Sequence, residues 1–275
     1  MGGCSSSQKT TAEPEQQRTP RRRALLVGMD YRGAPAGWPI INGTRNDVKV
    51  FDTLLREHWG FSEENIVTVT DPAQQSTESL LAALTAFKAS LRPGDTAVIF
   101  YSGDGHGKQV FDANGDEVTR KGESAPDIMD EALCTTNGTL LDDDLTVLMQ
   151  GIAASAAQLF WFCDACYSGG FVDQGSGSSL PENVVLIASS LETQKSEDAL
   201  RIETDKETGK MAMFYQGTGT RWLKAAVDGG GLPPRATHQQ LFDALAAERA
   251  KDKRTSVQNP FIVASATARQ LTLWM

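Results

Sequence analysis

Two short segments carry side chains able to open an acyl bond. One is Ser102-Gly103-Asp104-Gly105-His106-Gly107, and the other is Asp164-Ala165-Cys166-Tyr167-Ser168-Gly169-Gly170, with Cys166 standing 60 residues after His106. A thiol attacks a carbonyl as the thiolate, so it needs a nearby base or a lowered pKa. His106 is the one histidine in a glycine-rich segment; His58 and His238 fall in helical patterns and are expected at the surface. Glycines let the backbone turn sharply, and the small residues around Cys166 leave its sulfur accessible. A buried core thiol fits such polar surroundings poorly. Cys163-Asp164-Ala165-Cys166 also has the spacing of a redox pair, but that pair would open a helix, whereas Cys163 closes an apolar run. Zinc would need a second ligand pair at suitable spacing, and none is present. Cys166 is therefore the candidate nucleophile and His106 its candidate acid/base partner.

The elements that must position these residues alternate between two periodicities. Ala24 to Val27, Ile66 to Thr70, Thr96 to Tyr101, Leu159 to Cys163 and Val184 to Ala188 are short apolar runs that read as buried strands. Between them lie helical patterns: one from Asn46 with Val48, Phe51, Leu54 and Leu55 on one face, one over Leu80 to Leu91 stopped by Pro93-Gly94, and one over Leu145 to Ile152. Two more follow, around Arg221 to Val227 and Gln239 to Ala250. Strands joined through helices require crossover connections, so the predicted fold is α/β, a mainly parallel sheet with helices on both faces. In such sheets reactive residues gather at the carboxyl ends of the strands, and both segments above directly follow a strand. Glu192 to Lys210 is polar and charged and is expected to be a mobile loop.

Composition narrows the function classes. The 275 residues, 40% of them hydrophobic, suffice for one large domain. A net charge of −9 and a pI near 4.9 argue against a nucleic-acid ligand and favour a basic substrate or a cation. No apolar run is long enough to span a membrane, and there is no secretory leader, so the chain is expected on the cytosolic side with its four cysteines as free thiols. Residues 1–23 read as a disordered tail. Met1-Gly2-Gly3-Cys4-Ser5-Ser6 matches an N-myristoylation pattern with Gly2 as acceptor, and Cys4 stands where a palmitoyl group follows. One myristoyl chain binds membranes marginally; Cys4 or the cluster Arg18, Arg21, Arg22 and Arg23 would supply the second signal.

Several motifs in order resemble the metacaspases, a family of caspase-like cysteine peptidases. Tyr101-Ser102-Gly103 with His106-Gly107-Lys108-Gln109 resembles that family's histidine loop, and Asp164-Ala165-Cys166-Tyr167-Ser168-Gly169 its nucleophile loop. Asn46-Asp47, Leu141-Asp142-Asp143 and Met211-Ala212-Met213 resemble further family segments, so the similarity runs from about Ala24 to the C-terminus. It implies a caspase-like fold of the compact type I-like arrangement: a large-subunit-like region over about 24–191, the loop 192–210, and a small-subunit-like region over 211–275. It also implies cleavage after Arg or Lys, with Asp47, Asp164 and Ser102 in the pocket for the basic side chain, and backbone amides near Gly107 and Cys166 for the oxyanion. Calcium is implied through Asp130, Asp142, Asp143 and Asp173. The partners implied are peptide or protein substrates with a basic P1 residue, taken by a monomer.

Two residue-level alternatives stay open. Asp142-Asp143-Asp144 would equally serve as an acidic first turn of the helix that follows. Asp104-Gly105 is an insertion relative to the family, and a gapless register would put Asp104 where the histidine belongs; Gly107-Lys108-Gln109 matches only with His106 in that place. The chain is thus expected to be an Arg/Lys-specific cysteine peptidase, stimulated by calcium and processed by itself after Lys206 or Lys210. The alternative is a catalytically silent, membrane-tethered scaffold of the same fold.

Overall fold

The computed structural model describes residues 19–273 apart from 36–37, 112–128, 173–179, 205–207 and 254–256. In chain order the elements are β1 (Arg22–Gly28), α1 (Thr44–Glu57), β2 (Ile66–Val69), α2 (Thr77–Ser90), β3 (Thr96–Ser102), β4 (Gly105–Phe111), β5 (Met129–Cys134), β6 (Thr139–Leu141), α3 (Asp142–Ala153), β7 (Gln158–Asp164) and β8 (Val184–Ala188). They continue with β9 (Asp198–Thr204), β10 (Met211–Gly217), α4 (Thr218–Asp228), α5 (His238–Lys251), β11 (Phe261–Ala264) and α6 (Ala266–Arg269).

Six strands form the central sheet in the order β11-β8-β7-β3-β1-β2, all parallel except the edge strand β11. Alternation along β3 explains how this sheet is covered. Ala97, Ile99 and Tyr101 join one buried cluster with Leu84 and Phe87 of α2 and Leu145 and Met149 of α3. Val98 and Phe100 join the other, with Phe51 and Leu55 of α1, Trp222 of α4 and Leu241 of α5. Both faces are apolar and helix-covered, as a parallel sheet requires. The mainly parallel α/β expectation holds.

Several details differ from the sequence reading. The helix expected from Asn46 begins at Thr44 with Gly43 as its cap, because the Asn46 amide instead donates to Tyr215 O at 2.9 Å and ties α1 to β10. His238, expected on a helix surface, is fully buried, its ring 5.0 Å from that of Phe160. Part of the segment expected as a loop is strand: β9 pairs antiparallel with β10, and its alternating Leu200 and Ile202 oppose Tyr215 and Met213. Lys210 is exposed beside this ribbon, while Lys206 lies outside the described residues. The basic cluster is partly absorbed by the fold. Arg22 and Arg23 are in β1, Arg21 pairs with Asp95 at 2.9 Å, and Arg22 donates to Trp59 O at 2.9 Å. Gly2, Cys4 and Arg18 lie outside the described residues, and no helix among the described residues is long and apolar enough to cross a membrane.

Candidate active site

The central strands deliver the site residues to one edge by register. Ser102, the last residue of β3, lies opposite Asp164, the last residue of β7, and opposite Gly28 at the end of β1. Cys166 follows two residues later. The backbone then turns sharply through Tyr167, which sits in the left-handed region at φ 57°, into a short turn over Ser168–Gly170. A tyrosine in that region is held there by its surroundings, here the bond from Tyr167 N to Gln194 O at 2.7 Å.

Beside Cys166 opens a cavity of about 210 Å³ walled by Asp47, Ser102, Asp104, Asp164, Ser196, Glu197, Asp198 and Gly217 among others. Drug-sized ligands occupy pockets of about 300–1,000 Å³, so this one suits a single side chain. Five of its lining residues are acidic, and no lysine or arginine is among the described ones. Ser102 Oγ donates to Asp47 Oδ2 at 2.7 Å, and Gly217 N donates to Asp47 Oδ1 at 3.0 Å. Asp164 Oδ2 accepts from Thr220 N at 2.7 Å and Thr220 Oγ1 at 2.8 Å, while its Oδ1 accepts from Ser196 Oγ at 2.8 Å. A Cβ at Gly217 would stand 2.4 Å from Asp164 Oδ2 and 2.9 Å from Asp47 Oδ2, so glycine is what lets the two carboxylates approach across β10. Burial, and then the neighbouring Asp164 charge, hold Asp47 well above the usual carboxylate range. Asp198 is likewise raised, first by burial, against bonds from Asn42 N and Gly43 N. One buried acid, Asp47, and one half-buried acid, Asp198, thus line the cavity with their carboxyl groups held above the usual range.

Asp47, Asp164 and Ser102, the predicted pocket residues, are thus brought together. Asp104 and Asp198 were not anticipated as cavity walls. The first was legible as an extra acid in the histidine loop, and the second lay in the segment read as a loop. The Asp104 backbone is clamped: its N donates to the Tyr31 hydroxyl at 2.7 Å, and its carbonyl accepts from Tyr101 Oη and Cys134 N, each at 3.1 Å. Its side chain accepts from Gly105 N at 2.9 Å and stands beside the thiol. Cys166, half-buried, donates to Ser196 O at 3.7 Å. Burial, and then the Asp104 carboxylate, push the Cys166 thiol up to about 12. His106 lies two residues beyond Asp104, in β4 opposite Ala132, and no hydrogen bond or ion pair joins its ring to a described residue. The structure therefore brings Asp104 to the nucleophile.

The acidic residues tied by resemblance to calcium are divided. Asp130 and Asp142 are buried where β5 meets the start of α3, and Asp143 is the next residue of that helix. Asp142 Oδ2 accepts from Glu131 N at 2.7 Å and its Oδ1 from Asp143 N at 2.9 Å, so this residue joins the helix start to β5. Asp173 lies outside the described residues, and among the described residues no three His, Cys, Asp or Glu side chains converge on one point. The three described aspartates alone make no complete cage.

A family model described as the metacaspase, peptidase C14 domain matches residues 22–175, from the start of β1 to just past the nucleophile loop. The chain is similar to metacaspase-1B of Aspergillus oryzae, 28% identical over 245 residues that make up 86% of this chain and 56% of that protein. It is similar to metacaspase-1 of Eremothecium gossypii, 28% identical over 253 residues, 87% of this chain and 53% of that protein. Metacaspase-1 of Scheffersomyces stipitis is 30% identical over 158 residues, 56% of this chain and 37% of that protein. The chain thus spans between about a third and just over half the length of these curated relatives. A solved protein structure from Geobacter sulfurreducens superposes with a TM-score of 0.61 over 92% of this chain and 98% of its own, at 19% identity, which speaks to the fold alone.

Proposed function

Because the chain belongs to the metacaspase family of C14 peptidases, we propose that it is a cysteine endopeptidase that cleaves after Arg or Lys with Cys166 as nucleophile. The observation that carries the specificity is the acidic cavity beside the thiol. A guanidinium or ammonium entering it would meet Asp164 and Asp47, whose carboxylates can accept its N–H bonds in place of the proton that burial holds on Asp47. A P1 carboxylate would meet only like charge. Once the P1 side chain is seated, the Cys166 proton passes to His106. The thiolate adds to the carbonyl carbon, the amine leaves with a proton from the imidazolium, and water then hydrolyses the thioester.

One observation favours a second reading, the silent scaffold. Burial pushes the Cys166 thiol up to about 12, and the Asp104 carboxylate stands against it. Peptides ending in Arg, Lys or Asp before a fluorogenic amide separate the two readings. Turnover of the Arg and Lys peptides alone, lost in Cys166→Ala and in His106→Ala, supports the peptidase; turnover of none supports the scaffold.

Three further properties belong to the same proposal. Calcium stimulation would use Asp130, Asp142, Asp143 and Asp173, the ion supplying positive charge to a cluster of carboxylates. Self-processing would occur after Lys206 or Lys210, the latter exposed between β9 and β10. Acylation of Gly2 and Cys4 would hold the enzyme at a membrane.

A further inference from the structure

Asp104 and the cation-accepting acids share one cavity with the nucleophile, so whatever enters that cavity changes the field at Cys166. The arrangement is rigid. Tyr31, Tyr101 and Cys134 fix the Asp104 backbone from three directions, and Gly105 N pins the carboxylate. Behind it, Gly105 packs so closely that a Cβ there would stand 2.2 Å from Cys166 O and 2.4 Å from the Phe171 ring. Neither Asp104 nor the nucleophile loop can retreat without moving the other. What can change is the charge between them.

We propose that the basic side chain of the substrate acts as a switch for the enzyme's own nucleophile: seated in the cavity, it screens Asp104 and frees Cys166 to lose its proton. The proposal rests on the Arg/Lys reading and deepens it, making specificity and activation one event. The groups facing the thiol all bear on it. Asp104 faces it from the start of β4, and Asp164, Glu197 and Asp198 from the cavity wall. Cys134 lies close enough for Cys166 to oppose its ionisation. Lys195 is a cation that acts in the opposite sense on Cys166. Burial is the largest cause holding the thiol up and a small cation leaves it in place, so the switch removes the Asp104 part only.

Alkylation of Cys166 by iodoacetamide tests this without requiring turnover. The thiolate displaces iodide, the thiol proton goes to solvent, and the modified peptide is read by mass spectrometry. Butylguanidinium reproduces the arginine side chain and cannot be cleaved; butylurea is its neutral isostere. At pH 7.5, saturating butylguanidinium is expected to speed alkylation of Cys166 by about tenfold, as removal of one neighbouring charge lowers a pKa by about one unit. Butylurea should leave the rate unchanged. Asp104→Asn should be about tenfold faster with no addition and gain nothing further from the cation. Binding is measured separately by the rise in melting temperature that butylguanidinium produces. A cation that binds yet leaves alkylation unchanged or slower overturns the switch and spares the basic-pocket reading; a cation that does not bind overturns both. If Asp104→Asn fails to fold, the comparison of cation and urea on the wild-type protein decides by itself.

Discussion

Asp47 and Asp164 line one cavity, yet their replacement by asparagine should have very unequal consequences for stability. Asp164 spends both oxygens: Oδ2 takes two bonds from Thr220 and Oδ1 takes the Ser196 hydroxyl. In Asp164→Asn the amide oxygen can keep the Thr220 bonds, which puts the NH2 against Ser196 Oγ. That oxygen already receives Ser189 Oγ at 3.1 Å and Gln258 Nε2 at 2.9 Å. A buried donor is left facing a saturated acceptor, at a cost of about 1–3 kcal/mol, and the Thr220 bonds lose their charge assistance, about 1 kcal/mol each. The expected loss is about 3–5 kcal/mol, read as a lower urea midpoint at unchanged slope. Burial already disfavours charge on Asp47, and an asparagine oxygen can accept from Ser102 and Gly217 just as well. Asp47→Asn should therefore stay within about 1 kcal/mol of wild type. On an Arg reporter, removing the Asp164 partner of a buried cation should lower kcat/KM by at least about 30-fold, from the roughly 2–5 kcal/mol such pairs carry. Equal destabilisation by the two variants, or wild-type turnover by Asp164→Asn, would refute this account of the pocket.

His238 is held down to about 3 by burial, so above about 6.5 neither state is protonated and its contribution to stability is complete. As pH falls below that value the unfolded chain gains a proton that the folded chain refuses, and between 6.5 and 5 about 2 kcal/mol should be lost, a slope that His238→Leu removes in urea titrations. Gly105→Ala forces a methyl group against Cys166 O and Phe171, and should lower the melting temperature and cut kcat/KM by well over tenfold, whereas the same change at Gly231, with open space around it, should alter neither. If calcium acts through the residues at the start of α3, millimolar calcium should raise the turnover of wild type, and Asp142→Ala with Asp143→Ala should abolish that response in a titration against chelator.

Much of this fold is legible in the sequence, for identifiable reasons. Five strands and five helices stand within a few residues of their predicted bounds because each is a long apolar run or a strong helical period buried on the sheet. β11 and the small sheet of β4, β5 and β6 were missed, since Phe261–Ala264 and Thr139–Leu141 are too short to show a period. β9 was hidden because its inward residues include Arg201, buried and bonded to Thr218 Oγ1 at 2.9 Å, which breaks the apolar signal expected of a strand. His238 misled for a related reason: a helix's first residue can point into the core while the rest of its turn is exposed. At the site, Cys166, Asp47, Asp164 and Ser102 were read from strand ends and motif order. The contact between Asp104 and the thiol depends on how the two-residue insertion folds, which spacing alone leaves undetermined.

The most direct test of the central claim is covalent. Peptidyl acyloxymethyl ketones that differ only in carrying Arg or Asp at P1 are incubated with the protein, and the modified residue is found by mass spectrometry. A thioether on Cys166 from the Arg probe, with none from the Asp probe and none in Cys166→Ala, is the predicted result. Labelling of Cys166 by both probes alike, or by the Asp probe alone, would contradict the claim that this thiol serves a pocket built for a basic side chain.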